Sequence, residues 1–117
     1  MLEQKFITLV KRLHKKTREG SISWQDGGFR GERFDAEIGD LTVSIRVEYD
    51  RDYPDNPDIV LSVINRERIE LERFSNATLR DVDANSYGLL DELYKMARRQ
   101  ALGIDQAIDN LLDQLGP

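Results

Sequence analysis

The stretch FDAEIGDLTVSIRVEY, residues 34–49, decides the fold. Phe34, Ala36 and Ile38 alternate with Asp35 and Glu37. After Gly39-Asp40, Leu41, Val43, Ile45, Val47 and Tyr49 alternate with Thr42, Ser44, Arg46 and Glu48. A side-chain period of two is that of a strand, and strict apolar–polar alternation gives a sheet with one buried and one wet face. The two-residue connection Gly39-Asp40 predicts a tight hairpin, and so antiparallel pairing.

The pattern extends in both directions. Segment 50–58 holds two of the three prolines and cannot be a central strand. Beyond it, Ile59, Leu61 and Val63 alternate with Val60 and Ser62. Asn65-Arg-Glu-Arg68 turns the chain, and Ile69-Glu-Leu71 opens a return strand. Upstream, Ser21 to Trp24 reads as a short strand with Ile22 and Trp24 on one face, and Gln25 to Gly28 reads as a turn. Residues 75–86 are polar and read as irregular.

Helical spacing appears at both ends of the chain. Leu2, Phe6, Leu9, Val10 and Leu13 form one stripe, and Gly20 supplies a stop, so a helix spans about 2–18. Asn85 or Ser86 can cap a second helix reaching about Leu102, with Leu89, Leu90, Leu93, Tyr94, Ala97 and Ala101 inward. Gly103 interrupts it. Asp105 then reads as the N-cap of a last helix carrying Ile108, Leu111, Leu112 and Leu115. The order α–β–β–β–β–β–α–α predicts a single α+β domain over 1–117. It is an antiparallel sheet of four to five strands packed against an N-terminal helix and one or two C-terminal helices. On this reading Ile108 and Leu112 are buried, and Leu112→Ala costs roughly 2–4 kcal/mol.

Tyr87-Gly-Leu-Leu-Asp-Glu-Leu-Tyr-Lys-Met-Ala-Arg-Arg-Gln-Ala-Leu-Gly103, and the Ile-Asp-x-x-Ile-Asp-x-Leu-Leu that follows, resemble the tails of small bacterial α+β proteins. Gly20, Ile22 and Trp24 also resemble a Gly-x-Ile-x-Trp motif that those proteins place after a first helix. The resemblance implies a bacterial α+β domain and brings no activity or site residue with it.

Composition narrows the chemistry. The 117 residues contain no cysteine and one histidine, His14, which excludes disulfides and sites built on several His or Cys ligands. No apolar run approaches the ~20 residues of a membrane span, and the amino terminus lacks the apolar core of a signal peptide. A cytoplasmic protein that binds no membrane is expected. The net charge of −5 is unevenly spread. Residues 1–19 hold six basic side chains against Glu3 and Glu19, so the remaining 98 residues carry −9. An acidic body repels the duplex that would flank any contact, which disfavours nucleic acid.

Each candidate for chemistry has a plainer counterpart. Asp50, Asp52, Asp55 and Asp58 offer oxygen ligands, yet Arg51, Tyr53, Pro54 and Pro57 break any EF-hand spacing and fit a solvated turn. Glu32, Asp35, Glu37, Asp40 and Glu48 are acidic, but Asp35 and Glu37 fall on the wet face. Gly27-Gly28-Phe-Arg-Gly31 is not followed by a helix, so no phosphate loop or cofactor motif is present. Asp105, Asp109 and Asp113 make an acidic stripe, read first as a solvated face. The reading that remains is a non-enzymatic protein-binding domain, of an antitoxin or immunity type. Asp52, Tyr53, Asp55 and Phe29 are its expected contacts, and a basic protein its expected partner. The rival readings are a nucleic-acid- or ligand-sensing regulator acting through the basic first helix, and an enzyme using the carboxylates of the sheet.

Overall fold

The computed structural model describes residues 2–28, 32–49, 52, 57–83 and 87–117, with the side chains of 2, 3, 80–82 and 87 excepted. The elements are α1 (Leu2–Arg18), β1 (Gln25–Asp26), β2 (Arg33–Ile38), β3 (Leu41–Glu48), β4 (Asp58–Ile64), β5 (Glu70–Ser75), α2 (Asn76–Val82), α3 (Tyr87–Ala101) and α4 (Ile104–Leu115). The described strands form one sheet in the order β1-β2-β3-β4-β5, every neighbour antiparallel. The α+β architecture is the one the alternation predicted.

Register explains the core. Phe34, Ile45, Leu61 and Phe74 lie abreast on adjacent strands and are all buried. Phe6 of α1 stacks on Phe74 with ring centroids 4.4 Å apart, and Tyr94 of α3 tilts against Phe34 at 5.6 Å. Ile7, Val10 and Leu13 of α1 and Leu90, Leu93 and Ala97 of α3 complete that layer. At the end of α1, Gly20 has φ 78, so its amide and that of Ser21 turn back onto the carbonyls of Thr17 and Lys16. Trp24 is buried beside it, its indole N–H donating to Thr17 Oγ1 at 3.0 Å. That bond satisfies a group which would be costly to bury unpaired.

The structure corrects five local expectations. The first short strand lies at Gln25–Asp26, not 21–24, because those two residues are the ones that reach β2, opposite Asp35 and Phe34. Residues 76–82 are helical rather than irregular. Among the described side chains of α2, Leu79 is the one apolar anchor in the core, too little to leave a periodic signature. Tyr49 lies just past β3 and is exposed. The far face of the sheet is not wholly wet, since Ser44, Val60 and Ser62 are buried there under longer neighbours.

The last correction concerns α4. Its N-cap is Gly103, in the left-handed region at φ 62, and Asp105 lies inside the first turn. No residue of α4 is buried, so Ile108 and Leu112 are exposed, contrary to expectation. α4 neighbours α3 and stands off the sheet. The radius of gyration, 15.5 Å, exceeds the about 13 Å of a compact chain this long, and the longest extent is 54 Å.

Candidate docking surface

The polar face of the sheet is a lattice of ion pairs. Arg33 Nε donates to Asp35 at 3.0 Å, and Arg46 Nε donates to Glu48 at 3.2 Å. Arg46 also donates to Ser62 Oγ at 3.1 Å, Arg73 donates to Glu48 at 2.6 Å, and Ser62 donates to Glu70 at 2.5 Å. These long side chains close over Ser44 and Ser62. Ser62 is bonded twice, whereas the buried Ser44 Oγ has no hydrogen-bond partner. The arrangement neutralises charge locally and occupies Asp35, Glu48 and Glu70 with a guanidinium or a hydroxyl.

Beside β1 lies an open groove of about 470 Å³ whose lining includes Asp26, Asp35, Glu37 and Arg68. Among the described residues no three His, Cys, Asp or Glu side chains are grouped to hold a metal. His14, the only histidine, spends its Nε2 on Glu92 at 2.7 Å and ties α1 to α3. The phenol of Tyr94 is pushed above its ordinary value, chiefly by burial.

Of the contacts expected from sequence, Asp52 alone falls among the described residues. Phe29, Tyr53 and Asp55 lie outside the described residues. Asp52 is exposed, and Asp58 is the first residue of β4, paired with Glu48 in register.

The surface with most to offer is α4. Ile108 is 45% exposed, Leu111 and Leu112 60%, and Leu115 78%. On a 100° wheel they share one face with the half-buried Ile104, while Asp109, Asn110 and Asp113 occupy the other. Residues 104, 108, 111 and 115 step by four, three and four, the seam spacing of packed helices. Together the four exposed side chains present roughly 500 Å² of contiguous apolar surface, in the range that marks interaction sites. Asp105 is held by Arg99 across the α3–α4 junction.

Sequence reasoning found the stripe but assigned it to the core. It missed a second apolar surface, Ile38, Leu41, Ile69 and Leu71, at the hairpin ends of the sheet. Ile38 and Leu41 stand in the alternation of residues 34–49, but nothing in that pattern says whether a helix reaches their end of the sheet. In comparison with known proteins the chain has no match among family models, curated proteins or solved structures.

Proposed function

We propose that this chain is a non-enzymatic protein-binding module and that α4 is the element it presents to its partner. The observation that carries the reading is the exposed stripe Ile108, Leu111, Leu112 and Leu115 on a helix with no buried residue. A 12-residue helix is marginal on its own, so its apolar face is stabilised only when something covers it. Helix-in-groove recognition uses such i, i+3, i+4, i+7 anchors. The polar sheet face contributes solubility and internal ion pairing rather than chemistry, because Asp35, Glu48 and Glu70 are engaged by Arg33, Arg46, Arg73 and Ser62.

The test is a double substitution, Leu111→Ser with Leu115→Ser, compared with the parent in co-purification from the native host and in thermal melting. A protein partner retained by the parent, and lost by a variant of unchanged melting temperature, is expected. Equal retention by both would remove α4 from the interface.

A further inference from the structure

We propose that α4 docks on the uncovered hairpin end of the sheet in a second copy of this chain, reciprocally, so that two copies form a two-fold dimer. The proposal rests on the reading of α4 as a docking element and names its partner.

The receiving surface follows from register. Ile38 and Leu41 face each other across the β2–β3 hairpin, and Val43 pairs with Val63 one step inward. A bulge between Val63 and Ile64 sets Leu71 and Glu72 of β5 against that end of β4. Alternation puts Ile38 and Leu41 on the face that carries Ala36, Val43 and the helices. Ile38 is 41% exposed, Leu41 39%, Ile69 56% and Leu71 54%, about 400 Å² in all. Apolar side chains on the helical side of a sheet belong under a helix, and here none lies over them.

Lengths agree. The row from β2 to β5 spans three strand spacings, about 14 Å, and α4 from Ile104 to Leu115 is about 16 Å long.

Area decides the occupant. Each docking would cover the ~500 Å² stripe and the ~400 Å² row, so a reciprocal pair buries up to roughly 1,800 Å², within the range of standard specific interfaces. Stripe against stripe would bury about 1,000 Å², the lower limit, and would leave the sheet end open. Within one chain both surfaces stay exposed although α4 is formed, and only Leu102 and Gly103 separate it from α3. The rim of the sheet end carries both signs, Arg66 and Arg68 with Glu67 and Glu72, so apolar area rather than charge drives the contact. Because stripe and row are different surfaces, the contact closes only if each copy gives and receives.

Sedimentation equilibrium with two double variants tests this. Leu111→Ser with Leu115→Ser removes the arm, and Ile69→Ser with Leu71→Ser removes the receiving row. Each variant alone should dimerise at least ~100-fold more weakly than the parent. A mixture of the two should recover heterodimer, since the intact arm of one meets the intact row of the other. Both variants should melt like the parent in dilute solution. A parent that stays monomeric at high concentration, open-ended oligomers, or a row variant that dimerises normally overturns the proposal. Any of these leaves α4 free to bind another protein. A drop in melting temperature in the arm variant overturns the docking reading of α4 itself.

Discussion

Helices α3 and α4 follow one another with a comparable apolar periodicity and opposite fates. α3 buries Leu90, Leu93 and Ala97 completely, against α1 and the sheet. α4 buries nothing, although it carries an apolar stripe of its own. The break between them is Gly103, whose φ of 62 ends one helix and redirects the next away from the core. An amphipathic stripe states that a face needs cover; it does not state that the same chain supplies it.

The sharpest way to break the comparison is to truncate one leucine in each helix. Leu93→Ala should destabilise by about 3 kcal/mol in urea denaturation, because it opens a cavity between packed layers. Leu112→Ala should change stability in dilute solution by less than about 0.5 kcal/mol, the range of exposed positions. Similar losses in the two variants would mean that α4 packs on its own domain.

Four further substitutions sharpen the picture, ending with the smallest effect. Thr17→Val leaves the buried Trp24 indole N–H without its acceptor and should cost about 1–2 kcal/mol. Ser44→Ala removes a buried hydroxyl that has no partner, so it should be neutral or stabilising by up to about 1 kcal/mol. The matching change Ser62→Ala should destabilise, since it strips a bonded partner from Arg46 and Glu70. The smallest effect concerns Tyr94. Burial raises its pKa, so the folded state holds the phenolic proton more tightly than the unfolded one. Its contribution is therefore complete below about pH 10 and falls as pH rises through Tyr94's own raised value. A pH series of melting curves should show part of the alkaline loss disappear in Tyr94→Phe.

The sheet was legible because alternation in 34–49 is a local signal that its own hairpin enforces. Leu41, Val43 and Ile45 can face inward only together. β1 was misplaced because Ile22 and Trp24 show the same alternation, yet they meet the core from a segment outside any ladder. α2 was missed because Leu79 is the one described side chain it commits fully to the apolar core. The docking surface was legible only in part. The stripe at 104, 108, 111 and 115 stands in the sequence, but its exposure depends on how many helices the sheet face already holds. That number is set by α1 and α3 crossing the sheet, and no local pattern encodes it. The aromatic–aspartate loop drew attention through composition alone, and its expected contacts Phe29, Tyr53 and Asp55 fall outside the described residues.

Amide hydrogen exchange, read separately for α3 and α4 at low and high protein concentration, tests the central claim most directly. In dilute solution the amides of Leu90 to Ala97 should exchange only through near-global unfolding, whereas those of Ile108 to Leu115 should exchange almost freely. Raising the concentration should slow α4 and leave α3 unchanged. Protection of α4 equal to that of α3 in dilute solution would contradict the account, because it would place the last helix in the core after all.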